Sequence, residues 1–586
     1  MEIGLLAVVA VVVIVGVSML SGRIGIAAPL VLVVLGIGIG YLPGVPLVEL
    51  DPEIILIGVL PPLLYSAAVN VPLVDLRRNL GPITGLSVIL VLISAVLVGL
   101  LITWALPEVP LAAGIALGAV VSPTDAVAAT SIGKRLGLPP RLVTILEGES
   151  LVNDATALVM LRAAVAAVAG GFAFAEVSLQ FLYAAALAVV IGVLVGAITV
   201  WLRSKITNPV HDTVISFTVP FVAFMPTEEL GASGVLAVVV AGLYSGHVGA
   251  KHFSAKSRMN ERLNWRTIQF VLENAVFLVM GLQLHALTEQ LDENEVTIWH
   301  MALIGVAVSA LLIVSRSVFM IPLVLTLRWQ LRRNEARMAG LNGFADRVRD
   351  ADPTQITDER MKRRLHFADR WLRKRQADLD HAQQQGLGWR GGAVLAWSGM
   401  RGVVTLAAAQ SLPSDFPYRA PLILIAFFVA VITLLLHGST LPPLIRRLTI
   451  VGPSRTDTAR ELRSLSQDLL EEGLTALDET LRTETQRADD DHSLEYPNEE
   501  VVERVRASAR NTLAPLILSL PSATGPIDLP GRPETVAEQY VRLSHIVLEA
   551  QRAALLEERA IGRYSSESIK SAEHLLDSQE TRLHPK

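Results

Sequence analysis

Residues 111–131 read LAAGIALGAVVSPTDAVAATS, an uncharged apolar run cut in its middle by Ser122-Pro123-Thr124-Asp125. Proline lacks an amide proton and clashes with the preceding turn, so a helix over this run is interrupted there. A run of this length and composition suits hydrocarbon. At membrane depth, broken backbone is tolerated only where it lines protein or a water-filled cavity. Two readings follow. Either the proline merely kinks one helix, or the break frees backbone carbonyls, that of Thr124 among them, to hold a cation. Asp125 favours the second, because it sits where it can offset the positive end of the half-helix that resumes at Ala126.

The rest of the chain agrees with a membrane setting. Of 586 residues, 52% are hydrophobic and 18% charged, where a soluble chain carries about a quarter charged. The apolar residues gather into runs of about 18 or more, the length a spanning helix needs. About thirteen such spans are predicted, at 3–20, 24–41, 53–69, 80–105, 110–131, 142–168, 179–202, 209–226, 231–246, 265–288, 298–327, 389–411 and 419–445. The expected fold is therefore an all-α polytopic membrane protein. Residues 1–447 form the membrane domain, with a charged cytoplasmic loop at 328–388, and residues 448–586 form a cytoplasmic helical tail. The first apolar run has no basic residues before it and is read as a retained span.

Loop charges test the count. Arg23, then Arg77 and Arg78, then Lys134, Arg135 and Arg141, then Arg203 and Lys205, then Lys251, Lys256, Arg258 and Arg262, then 328–388, then Arg446 and Arg447 fall in alternate loops. The loops between carry Glu49, Asp51 and Glu53, or Glu108, Glu176, Glu228 and Glu229, or Asp292, Glu293 and Glu295, or Asp415. Basic loops stay inside, which puts the N-terminus outside and the C-terminus in the cytoplasm. The net charge of −5 suggests no nucleic-acid partner, and the absence of cysteine excludes disulfides and thiolate chemistry. Membrane lipid is the expected surrounding. The clusters RMKRRL at 360–365 and RWLRKR at 370–375 suit either anionic lipid or a solvated hairpin, and the solvated hairpin is preferred.

Few ionisable residues lie deep in the predicted spans, and each needs a reason. They are Asp125, Glu147, Glu149, Asp154, Glu273, Arg316 and Arg401. In the sixth span, Ser150, Asn153 and Asp154 are spaced i, i+3 and i+4, which puts a hydroxyl, an amide and a carboxylate on one helical face. Such a strip serves either as a polar seam between helices or as oxygen ligands for a hard cation. The density of polar groups near mid-membrane favours the cation. Arg401, in Trp397-Ser398-Gly399-Met400-Arg401-Gly402, cannot shed its proton and needs a buried partner. Glu149 is the expected one, as a structural pair that holds the sixth span. Glu273 with Arg316 is a second expected pair. Histidines 211, 247, 252 and 285 near span ends read as satisfied interfacial residues or as tuners of a pH response. No G-x-x-x-x-G-K-[ST] loop is present, and Gly36, Gly38 and Gly40 read as helix packing.

Four stretches resemble the monovalent cation:proton antiporter-1 family: PPLLYSAAVNVPL at 61–73, SPTDAVA at 122–128, EGESLVNDATALV at 147–159 and WSGMRGVVTLAAAQSLP at 397–413. The resemblance implies inverted repeats, two broken helices crossing near the midplane, a core domain that moves against a dimerisation domain, and a homodimer in the cell's inner (plasma) membrane. It implies Asp154 as the essential carboxylate, Ser150 and the Thr124 carbonyl as ligands, and Asp125 as a ligand directly or through water. It agrees with the Arg401–Glu149 pairing. Asn153 stands where the electrogenic sister family has a second acid, which implies electroneutral one-for-one exchange. Some members add a glutamate from the third span, where this chain has only Asn70. The expected activity is exchange of Na+, or of Li+ or K+, for H+ in pH and sodium homeostasis, with no enzymatic step and no cofactor. Asp154 would hold a proton or a cation but never both, and exchange would be pH-sensitive. A K+/H+ antiporter of the same fold, a cation channel and a sodium-coupled symporter are the rival readings.

Overall fold

The computed structural model describes residues 2–24, 28–43, 45, 53–170, 174–206, 208–289, 298–349, 371–380, 383, 387–413, 415–450, 455–490, 498–517 and 536–583. Among the described residues there is helix and no strand. The helices that matter below are α1 Glu2–Ile24, α2 Ala28–Gly40, α3 Ile54–Asn70, α4 Leu80–Ala105, α5 Leu111–Val121, α6 Ala126–Arg135, α7 Pro140–Val168, α8 Phe174–Arg203, α9 Pro209–Glu229, α10 Gly234–His252, α11 Ala255–Glu289, α12 Ile298–Arg349, α13 Trp389–Trp397, α14 Val403–Gln410 and α15 Arg419–Leu448. A helix, or a helix pair with a break, stands at each expected span. Among the described residues, seven helices are long and apolar enough to cross a bilayer, and four shorter apolar ones accompany them. The expected span at 110–131 divides into α5 and α6, and that at 389–411 divides into α13 and α14. The first break is at Pro123. The second has no proline and occurs at Ser398–Gly402.

The chain forms two compact units. One comprises Met1–Phe253, Asn260–Gln330 and Leu387–Gly452; the other comprises Ser254–Met259, Leu331–Gly386 and Pro453–Lys586. In the first unit, small residues bring helix backbones into contact, as membrane helices need where the hydrophobic effect cannot drive association. A Cβ on Gly118 of α5 would lie 2.3 Å from the Ala95 carbonyl oxygen of α4, so only glycine allows that crossing. Gly36 of α2 likewise abuts the Leu278 carbonyl of α11, with 2.3 Å left for a Cβ. Gly40 packs on Leu282 of the same helix, while Gly38 has nothing within 4 Å. Two of the three glycines thus serve helix packing as expected. Exposed apolar side chains such as Leu92, Val96 and Leu100 on α4, and Val190, Leu194 and Ile198 on α8, suit a lipid-facing surface.

The second unit includes, among the described residues of the tail, the long helices α16 Arg455–Asp490, α17 Glu499–Ile517, α18 Val536–Ile561 and α19 Ser566–Leu583. Leu465 and Leu469 pack with Leu548 and Leu555, while Val501, Val502 and Val505 pack with Leu477, Leu543 and Val547. Helix α17 runs to Ile517; residues 518–535 lie outside the described ones, as does the 360–365 basic cluster.

Candidate cation site

The first break is built by what α5 cannot continue. Ser122 Oγ turns back to the Gly118 carbonyl, Pro123 has no proton to donate, and the chain leaves the helix for residues 122–125. The freed groups find partners on the second break. Asp125 N donates to the Met400 carbonyl at 2.8 Å. In return, Arg401 Nε donates to the carbonyl of Val121, the last residue of α5, at 3.0 Å, and Arg401 also donates to the Gly399 carbonyl. A cationic donor at a helix C-terminus answers the partial negative charge collected there. The two interrupted helices therefore clasp each other at their breaks. Gly402 makes the clasp possible, since a Cβ there would lie 2.2 Å from Asp125 Oδ2 and 2.6 Å from Asp125 Cβ.

Helix α7 runs beside this crossing and offers Glu149, Ser150, Asn153 and Asp154. Glu149 is buried and accepts from Thr124 Oγ1 at 2.7 Å. Both its oxygens also accept from the guanidinium of Arg316, with Nη2 to Oε2 at 2.8 Å. Arg316 Nε donates to the Leu395 carbonyl near the end of α13 at 2.9 Å. The expected Arg401–Glu149 pair is thus corrected. Arg316 on α12 reaches Glu149 with its bidentate fork, and Arg401 is used by two backbone carbonyls at the breaks. The expected Glu273–Arg316 pair is corrected with it: Glu273 accepts from Gln269 Nε2 at 2.6 Å, one turn away on α11. That i, i+4 spacing was visible in the sequence. The choice between two arginines was not, because both lie far along the chain from Glu149.

Asn153 donates its Nδ2 to both the carbonyl and Oγ1 of Thr124, each at 3.1 Å. A carbonyl can only accept, so the amide nitrogen is fixed on that side. Its Oδ1 is then left buried with no hydrogen-bond partner. An orphaned buried acceptor costs about 1–3 kcal/mol unless something electropositive meets it. Sequence reasoning took Asn153 as support only and missed this oxygen. Ser150 Oγ receives a long contact of 3.4 Å from Ala126 N and has lone pairs to spare. Asp154 is buried, and among the described residues it has no hydrogen-bond or ion-pair partner. The charge that acts on it is Asp125. The structure brings Thr124, Asp125, Glu149, Ser150, Asn153 and Asp154 to one place, with Arg401 on the backbone behind it. Asn70 does not extend the set, since its amide donates to the Ser66 carbonyl of its own helix at 2.7 Å. His285 is satisfied by Gly40 O at 2.9 Å and Glu289 at 3.0 Å.

This arrangement can hold a small hard cation by mixed oxygens, with two carboxylates and no fixed counter-charge on Asp154. The family profile of transmembrane sodium/hydrogen exchangers matches residues 8–346 and 365–447. YjcE of Escherichia coli, described as an uncharacterized Na+/H+ exchanger, is 26% identical over 563 residues, 92% of this chain and 90% of that one. A sodium, potassium, lithium and rubidium/H+ antiporter of Bacillus pumilus is 28% identical over 438 residues, 71% of this chain and 57% of that one. The sodium proton antiporter MjNhaP1 of Methanocaldococcus jannaschii superposes with a TM-score of 0.55 at 18% identity, over 76% of this chain and 99% of that one, which shows a shared fold. With the profile covering most of the chain and the two breaks meeting at the carboxylates, this protein belongs to the sodium/hydrogen exchanger family.

Proposed function

We propose that this protein exchanges Na+ for H+ across the plasma membrane by competition of the two ions for Asp154. The observation that carries the reading is a buried Asp154 with no partner among the described residues at the meeting of two broken helices, with Asn153 Oδ1 unspent and Ser150 Oγ engaged only by a long contact from Ala126 N. Protonation of Asp154 removes the charge that attracts the cation, and a bound cation opposes protonation. Mutual exclusion at one seat couples the two flows. Ser150, Asn153 Oδ1, Asp125 and the second lone pair of the Thr124 carbonyl are the ligands beside it. Glu149 with Arg316 holds α7 in place, and Arg401 holds the breaks together. Neutral Asn153, standing where the electrogenic sister family has a second acid beside the exchanging carboxylate, supports a one-for-one, electroneutral cycle insensitive to membrane voltage.

Alternating exposure of the site requires the helices of the crossing to move as a body, in thirteen crossings with the N-terminus outside, and in a homodimer as the family resemblance implies. Oxygen ligands serve potassium as well as sodium, and the breadth of ions in the name of the Bacillus pumilus relative favours testing both. The test is proton flux in proteoliposomes on adding Na+, Li+ or K+, for the parent and for Asp154→Asn. Flux in the parent that vanishes in Asp154→Asn, with the variant still inserted, is expected. Exchange that persists in the variant rules the assignment out.

A further inference from the structure

One buried polar side chain beside the second break has no role so far. His437 lies in α15, is 1% exposed, and has no hydrogen-bond partner on either ring nitrogen. An imidazole carries at least one N–H in either tautomer, so a buried donor stands idle there. Each idle buried polar group costs about 1–3 kcal/mol and calls for an explanation.

Its neighbours show what it faces. Thr433, His437 and Thr440 are spaced i, i+4 and i+7, which puts them on one face of α15. Both threonines hold the second break. Thr433 Oγ1 accepts from Arg401 N at 3.3 Å, and Thr440 Oγ1 accepts from Trp397 Nε1 at 2.8 Å. Their own hydroxyl protons go one turn back along α15, to the carbonyls of Val429 and Leu436. Trp397 is the last residue of α13, and Arg401 lies within the break. His437 stands between the two threonines in sequence and meets the Trp397 ring edge to face, with centroids 5.2 Å apart. Within the break the backbone is already committed. Ser398 N donates to the Val394 carbonyl and Met400 N to the Ser398 carbonyl, both at 2.9 Å. The Gly399 carbonyl is taken by Arg401, and the Met400 carbonyl by Asp125 N.

We propose that His437 is a positioning residue for exchange, a reserve hydrogen-bond partner that lets the second break readjust when the seat trades a cation for a proton. The seat and the break are linked directly, because Asp125 N hangs on the Met400 carbonyl at 2.8 Å. A change of charge around Asp125 therefore pulls on the break. The weakest bond on its far side is the 3.3 Å contact from Arg401 N to Thr433. A backbone group released there is buried and needs a new partner at once. The imidazole can donate to a carbonyl or accept from an amide, which neither threonine does with its proton already spent. His437 touches no ion in this account. It lowers the cost of the adjustment, so it acts on turnover and not on affinity.

This inference rests on the antiport reading, and its test separates the two. Full-length parent, His437→Phe and His437→Gln are compared in proteoliposomes for KM for Na+ and kcat, and in detergent for Tm. Phe keeps a ring against Trp397 but neither donates nor accepts. Its Tm is expected to equal or exceed that of the parent, while kcat falls about tenfold and KM stays within about twofold. Gln restores a donor and an acceptor, and its kcat is expected within about threefold of the parent. A kcat for His437→Phe within about twofold of the parent, a loss as deep in His437→Gln, or a change confined to KM overturns the proposal. A histidine that only stabilises the fold gives the reverse pattern, a lower Tm with parent-like kcat, and this also overturns it. If His437→Phe does not fold, His437→Leu is read by the same thresholds. A parent that shows no exchange sinks the antiport reading itself, whereas an active parent whose kcat ignores His437 sinks this inference alone.

Discussion

Glu149 shows how a buried charge is kept in a membrane protein. It meets a bidentate guanidinium and a hydroxyl, so both oxygens are satisfied. Removing one member of such a pair strands the other and costs about 3–5 kcal/mol. A double-mutant cycle in detergent, read by thermal unfolding, tests which arginine is the partner. Glu149→Gln with Arg316→Met is expected to show a coupling of more than about 1 kcal/mol, and a larger one than Glu149→Gln with Arg401→Met. Equal couplings would restore the pairing expected from sequence. At this scale the sequence disclosed what lies on one helix. Ser150, Asn153 and Asp154 share a face by spacing alone, and the same rule reaches Gln269 and Glu273. It did not disclose which of two arginines crosses to Glu149, because that depends on how α12 and the α13–α14 break approach α7. Nor did it reveal that the amide nitrogen of Asn153 would be spent on Thr124, leaving an oxygen free.

Among elements, the decisive feature is that two helices break where they cross, and each break supplies what the other lacks. Met400 accepts the amide of Asp125, and Arg401 caps the end of α5. The first break was legible because proline forbids the next hydrogen bond. The second was hidden inside an apparently continuous span, since Gly399 and Gly402 permit a break without requiring one. Its cause is tertiary: a Cβ at Gly402 would overlap Asp125. Gly402→Ala is therefore expected to push the two breaks apart and displace Asp125. Exchange in proteoliposomes should fall by more than about tenfold while the protein still inserts, since misplacing a site by about an ångström costs on that order or more. Parent-like exchange in Gly402→Ala would show that the clasp is not needed to position the carboxylate.

For the whole molecule, composition and loop charge located every apolar segment because the bilayer restricts spanning backbone to a few solutions. They did not show that residues 331–386 and the short stretch Ser254–Met259 group with the tail, since charged helical segments carry little sign of what they pack on. On the function proposed above, two ions contest one seat in the membrane unit. The apparent KM for Na+ in proteoliposomes, followed over a pH series, addresses that seat most directly. Competition between one proton and one cation predicts that KM falls about tenfold for each unit rise in pH as long as the carboxyl holds its proton. A KM that stays fixed while only the maximal rate changes with pH would mean that proton and cation occupy separate sites.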